Sequence, residues 1–210
     1  MQRTILLALI FGVMVSCQKP AATTTATTVE KLVPESTNYL SRSDWGANAP
    51  VLPMRSHKLT KLTIHHTATK QLPDKSLRDK MKSLQKFSQE ESKLGDGRTK
   101  QPWADIPYHL YVDVHGEVAE GRDINYAGDS NTAYDPTGHL LVVVEGNFEE
   151  EEITPQQMRT LEALVPALAK KYKIPADSLG AHKDYASTLC PGSKLYTRIP
   201  YFQKLVAEGK

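Results

Sequence analysis

Residues 140–144 read Leu140-Leu141-Val142-Val143-Val144, and this run of five aliphatics decides the fold class. It is long enough for a strand and apolar at every position, the pattern of a central strand buried on both faces. Such a strand needs neighbours and cover, and the flanking sequence offers both. Lys61–His66 reads as a second short buried strand. Residues 74–94 read as an amphipathic helix, with Leu77, Met81, Leu84 and Phe87 on one face, Gly95 and Gly97 at its end, and a polar loop over 95–101. Residues 108–114 and 117–120 flank His115-Gly116, which predicts a hairpin turning at that pair. Downstream, Thr154-Pro155-Gln156-Gln157 is a capping box with proline at the first helical position. The helix it opens carries Met158, Leu161, Leu164, Val165, Leu168 and Tyr172, and Pro166 inside it predicts a kink or a break. The expected fold is therefore mixed α/β, a central, mostly β sheet flanked by helices in a single domain over residues 40–210.

The N-terminus belongs to targeting and not to this fold. Arg3 precedes an apolar run of eleven residues, Ile5 to Val15, which suits a signal peptide and is too short to span a membrane. The run ends Met14-Val15-Ser16-Cys17, similar to a bacterial lipobox, so residues 1–17 read as a lipoprotein signal with Cys17 lipidated. The alternative is an ordinary signal peptide with a bystander cysteine. Residues 18–39, rich in threonine and alanine and without apolar periodicity, read as a flexible tether. The expected location is the cell envelope, exported and lipid-anchored, at an outer membrane facing the periplasm in a Gram-negative cell. The net charge of +2, with no basic run and no aromatic–basic interleaving, gives no reason to expect nucleic acid as a partner. A monomer is expected.

With Cys17 lipidated, Cys190 is the remaining thiol of an exported chain and needs a reason other than an internal disulfide. Its surroundings supply one. Ala181-His182-Lys183-Asp184 lies just upstream, and Leu62-Thr63-Ile64-His65-His66-Thr67 lies far upstream. One imidazole from each histidine segment plus one thiolate makes a three-ligand zinc site, the number typical of catalytic and not structural zinc. His65 and His66 point to opposite faces of a strand, so spacing alone leaves the choice between them open. Asp184 is either a partner holding His182 or a solvated residue beside Lys183. His109 reads as a hydrogen-bonded core residue, His115 as a turn residue, and His57 and His139 as loop residues.

The chain resembles a known family, the type 2 zinc-dependent N-acetylmuramoyl-L-alanine amidases, which share a fold with peptidoglycan-recognition proteins. The resemblance rests on Ser41-Arg42-Ser43-Asp44-Trp45-Gly46-Ala47, Ile64-His65-His66-Thr67, Asp105-Ile106-Pro107-Tyr108, Glu120-Gly121-Arg122, Glu145-Gly146-Asn147-Phe148, Ala181-His182 and Cys190-Pro191-Gly192, in the family's order. It implies Zn2+ as cofactor, with His65, His182 and Cys190 as its ligands. It also implies Tyr108 as the hydroxyl facing the reacting oxygen, and Thr188 at a position held by lysine in some relatives and by threonine in many recognition-type members. Members that bind without cutting often carry serine where Cys190 stands. Substrate contacts are expected at Trp103, His66 and Asn147, with peptidoglycan or muropeptides as partner. Pro102-Trp103 keeps the tryptophan of a Gly-Trp pair associated with diaminopimelate stems.

Two departures from the family pattern matter. The glutamate that some members place in the strand before Gly-Asn-Phe is Val143 here, with Glu145 a displaced substitute on the same strand face. A substrate-facing histidine of many members is Ser130 here. Beside the zinc amidase stand two other readings, a non-catalytic peptidoglycan-binding lipoprotein and a metal-free cysteine hydrolase using Cys190, His182 and Asp184.

Overall fold

The computed structural model describes residues 29–209, so the signal segment, Cys17 and the head of the tether lie outside the described residues. In chain order the elements are β1 (Tyr39–Leu40), α1 (Arg42–Trp45), β2 (Lys61–His66), α2 (Leu77–Gln89), β3 (Ser92–Lys93), β4 (Thr99–Lys100), β5 (Leu110–Val112) and β6 (Val118–Glu120). They continue with β7 (His139–Val144), α3 (Pro155–Tyr172), β8 (Leu179–Ala181), α4 (Ser193–Tyr196) and α5 (Ile199–Ala207). Six strands form one sheet in the order β1-β6-β5-β7-β2-β8.

The aliphatic run takes the place its composition demands. β7 is buried along its whole length and lies between β5 and β2, parallel to both. Alternation splits it between two cores. Leu140, Val142 and Val144 join Leu62 and Ile64 of β2 and the inner faces of α3 and α5. Val143 turns the other way, into a smaller cluster with Trp45, Leu77, Met81, Ile106 and Tyr111. The result is a sheet with helices on both sides. Trp45 is fully buried there, its indole N–H donating to Glu120 O at 2.8 Å, and the Ser41–Asp44 capping box fixes the turn that delivers it.

Several sequence expectations change in detail. The expected helix over 74–94 is shorter: Ser76 caps α2 by accepting the Asp79 N–H, and the chain turns extended at Glu90. Beyond it the expected polar loop is replaced by the antiparallel β3–β4 pair. Lys100 stops the helix. Its buried Nζ donates to Ser88 O and Glu90 O, at the end of the helix, and to Gln101 O beyond it. Phe87, expected on the buried face, is 39% exposed, because the face actually buried runs through Leu77, Met81, Gln85 and Ser88.

α3 opens with the capping box and the N-terminal proline as expected, and runs through Pro166 without a break. The domain also begins earlier than residue 40. Val29 and Val33 are buried in the core under α3, so the described part of the expected tether is packed and not loose.

Candidate metal centre

Strand pairing brings the two histidine segments together. β2 and β8 run parallel with Ile64 opposite Ala181, so the next residue on each strand, His65 and His182, leave the same end of the sheet side by side. Their ring centroids are 4.7 Å apart. His65 stands opposite Val143 and shares its face, whereas His66 alternates into the main core beside Phe148, where its Nδ1 accepts the Phe148 N–H at 3.3 Å. Alternation on this particular strand therefore selects His65.

Cys190 reaches the pair on a return loop. Lys183 N donates to Cys190 O at 3.0 Å, closing residues 183–190 into a turn. Gly192 then passes close to the chain after β7: a Cβ there would lie 2.5 Å from Phe148 C, so only glycine lets the loop sit so deep. Cys190 Sγ lies 3.6 Å from His65 Nδ1 and accepts the His66 backbone N–H at 3.4 Å. One donor atom each from His65, His182 and Cys190 fall within 4.8 Å of one another.

These donors fit zinc. Bond lengths of about 2.3 Å to sulfur and 2.0–2.1 Å to nitrogen in a tetrahedron require an S···N separation of about 3.5 Å, close to the 3.6 Å found. Burial holds His65 well below the usual histidine range and His182 at about 4, so both rings are neutral at pH 7, the form that ligates metal. Without a metal, burial pushes the Cys190 thiol up to about 12. That argues against the cysteine hydrolase, whose nucleophile needs a depressed pKa.

Asp184 argues the same way. Its carboxylate accepts from Ala181 N at 2.7 Å and from the Tyr196 hydroxyl at 2.7 Å, so it braces the β8 turn and does not hold His182. The contact to His182 comes instead from a residue that sequence reasoning missed. Thr132 Oγ1 is 2.6 Å from His182 Nε2, and the Tyr134 hydroxyl is 3.5 Å from His65 Nε2. Both lie between β6 and β7 in a stretch without periodicity, so only the general tendency of loops to carry function pointed there.

Tyr108 faces the centre, its ring 5.1 Å from that of His65, and burial raises its phenol pKa, keeping it a proton-bearing donor. Arg122 anchors the segment behind it: its backbone N–H donates to Tyr108 O and its guanidinium to Ile106 O, Asp105 O and Ala127 O. Gly121 is needed for the same approach, since a Cβ there would meet Tyr108 O at 2.3 Å. Thr188 Oγ1 accepts the Cys190 N–H at 3.2 Å, which shapes the ligand loop and leaves the hydroxyl proton free to donate.

Other expected positions have partners of their own. Glu145 does not substitute for the missing glutamate: it is buried against Lys80 at 2.8 Å and accepts from Leu72 N and Val114 N. The Trp103 ring packs under Lys100 Nζ at 4.6 Å. The side-chain oxygen of Asn147 accepts from Glu149 N at 3.3 Å, closing the turn after β7. For His66, it is the backbone and not the ring that meets Cys190. Ser130 Oγ pairs with Thr132 Oγ1 at 2.7 Å. His109 is hydrogen-bonded in the core as expected, to Tyr126 O and Leu141 N. His139 is not a loop residue but the buried start of β7, its Nδ1 2.8 Å from Thr63 Oγ1.

The profile of the N-acetylmuramoyl-L-alanine amidase family matches residues 55–193. The chain is 31% identical to peptidoglycan-recognition protein LB of Drosophila melanogaster over 177 residues, 78% of this chain and 69% of that one. Its fold is similar to the crystal structure of Drosophila peptidoglycan recognition protein SD, with a TM-score of 0.67 and 26% identity over 78% of this chain and 93% of the other. It is also similar to the endolysin N-acetylmuramoyl-L-alanine amidase LysCS of Clostridium intestinale, with a TM-score of 0.56, 26% identity and the same two coverages, 78% and 93%.

Proposed function

This chain belongs to the N-acetylmuramoyl-L-alanine amidase family, and from that premise we propose that it is a zinc-dependent peptidoglycan hydrolase. The bond cut is the amide between the lactyl group of N-acetylmuramic acid and the L-alanine of the stem peptide. The observation that carries this reading is the convergence of His65, His182 and Cys190, with Sγ and Nδ1 3.6 Å apart beside Tyr108.

When bound, zinc supplies Lewis acidity, activating water for attack and polarising the scissile carbonyl. His65, His182 and Cys190 would hold it with three ligands, as hydrolytic sites do. Tyr108 donates a hydrogen bond to the oxygen on which negative charge develops, a contact worth most in the transition state. Thr188 can add a second hydroxyl donor from the ligand loop. Tyr108→Phe is expected to lower kcat by about 10²–10³-fold, the usual cost of one such donor, while zinc content stays unchanged. A loss below about threefold would remove Tyr108 from the chemistry.

A second reading, a peptidoglycan-binding lipoprotein that does not cut, is favoured by one observation. The position of the missing glutamate, Val143, is sealed in an apolar cluster, and Glu145 is committed to Lys80. Mass spectrometry of peptidoglycan digested by the purified domain separates the two, with diaminopimelate-type and lysine-type substrates and with chelator and zinc add-back arms. Free stem peptides beginning at L-alanine, lost on chelation and restored by zinc, support hydrolysis, and an excess from the diaminopimelate substrate supports that preference. No release by a folded domain that still pulls down the sacculus supports binding alone.

The proposed location is the cell envelope, by lipidation at Cys17. Among the described residues no helix is long and apolar enough to cross a membrane. Cys17→Ala is expected to move the protein from the membrane to the soluble fraction, and unchanged membrane association would end the anchor assignment.

A further inference from the structure

The stretch between β6 and β7 places two hydroxyls against the Nε2 atoms of the two histidine donors. Thr132 Oγ1 is 2.6 Å from His182 Nε2, a short hydrogen bond, and the Tyr134 hydroxyl is 3.5 Å from His65 Nε2, a longer contact. The Tyr134 ring also lies 4.9 Å from that of His182 and stacks at 6.1 Å on Tyr185, which limits how either ring can turn. Ser130 Oγ, 2.7 Å from Thr132 Oγ1, gives the threonine hydroxyl a second partner.

A neutral imidazole has one lone pair and one N–H, and which nitrogen carries the proton is set by what the other nitrogen meets. With the Thr132 hydroxyl accepting at Nε2 and donating its own proton to Ser130 Oγ, the imidazole proton sits on Nε2. The lone pair is then on Nδ1, and in His65 it is Nδ1 that points at the Cys190 sulfur. Histidine ligands are commonly oriented this way by a carboxylate, which also raises their basicity. Here the carboxylate that the sequence offers for this, Asp184, is spent on Ala181 N and Tyr196.

We propose that Thr132, seconded by Tyr134, is a positioning residue of the metal centre. It holds His182 as the Nε2–H tautomer with Nδ1 presented to the metal, through an uncharged partner in place of a carboxylate. A neutral partner leaves the histidine less electron-rich and the bound metal the stronger Lewis acid. This rests on the zinc reading for its purpose, but its test does not need turnover.

The experiment records long-range 1H–15N spectra of the histidines in the metal-free parent, together with zinc affinity by chelator competition for the parent, Thr132→Val and Thr132→Ser. The expected result is an Nε2–H tautomer at His182 in the parent. Thr132→Val is expected to lose about 10–100-fold in zinc affinity, the range for removing a partner of a metal ligand, and to show mixed tautomers. Thr132→Ser, which keeps the hydroxyl, should stay within a few-fold of the parent. An Nδ1–H tautomer in the parent overturns the proposal even if a variant fails to fold. So does Thr132→Val binding zinc within twofold of the parent. A parent with the Nε2–H tautomer but no zinc affinity supports the positioning contact and removes the zinc hydrolase reading instead.

Discussion

Cys190→Ser is expected to purify folded, nearly free of zinc and inactive on peptidoglycan. Serine is close in volume to cysteine, and the sulfur meets the backbone through the His66 N–H at 3.4 Å and the His66 carbonyl at 4.0 Å, contacts that a hydroxyl can inherit. The change in melting temperature of the metal-free protein should therefore be only about 2–4 °C, corresponding to about 1 kcal/mol in a domain of this size. The metal is another matter. A serine hydroxyl does not ionise near pH 7, so the site keeps two neutral nitrogens and loses its one anionic donor. Zinc affinity should fall by more than about 100-fold, beyond what losing an outer partner of a ligand costs. Elemental analysis of the purified variant decides it: full zinc occupancy would remove Cys190 from the ligand set.

Lys80→Met is expected to have the largest effect on stability. Lys80 lies on the buried face of α2, its Nζ 2.8 Å from Glu145 Oε2 and 3.1 Å from Asp113 Oδ2, and all three side chains are almost fully buried. The carboxylates also collect backbone N–H groups, from Leu72 and Val114 on Glu145 and from His115 and Glu117 on Asp113. Removing the cation leaves two carboxylates facing each other in the core, at a cost of about 3–5 kcal/mol, because the charge left behind has lost its partner. In a domain of this size that lowers the melting temperature by roughly 10 °C. Calorimetry checks it, and a loss below about 1 kcal/mol would mean that water or protonation relieves the site.

That network also shows where sequence reasoning reaches its limit. Glu145 ends an aliphatic run one residue before Gly-Asn-Phe, so local pattern offers it to the chemistry. Lys80 reads as part of the wet side of a helix because a lysine in an amphipathic pattern usually is. Their pairing links positions 65 residues apart, which no window along the chain detects. Lys100 misleads in the same way: its side chain caps α2, and nothing between Glu90 and Gln101 signals that. By contrast, β7, β2, α3 and the β5–β6 hairpin are legible because period, capping and turn chemistry are local properties. The donors His65, His182 and Cys190 are legible through their residue types and the family resemblance. Thr132 and Tyr134 are not, since a hydroxyl in a loop becomes meaningful only when an imidazole arrives beside it.

The pairing of β2 with β8 bears on how the protein is made. His65 and Cys190 are 125 positions apart, and β8 is a three-residue strand at the sheet's edge, with β2 as its one strand neighbour. The nascent or denatured chain therefore holds no preformed nest for the ion, and bringing such distant segments together carries the entropy of closing a very long loop. On the zinc reading, the full set of three donors assembles only once β8 has docked against β2. Zinc uptake, followed in time, would register the moment at which the final edge of the sheet has closed.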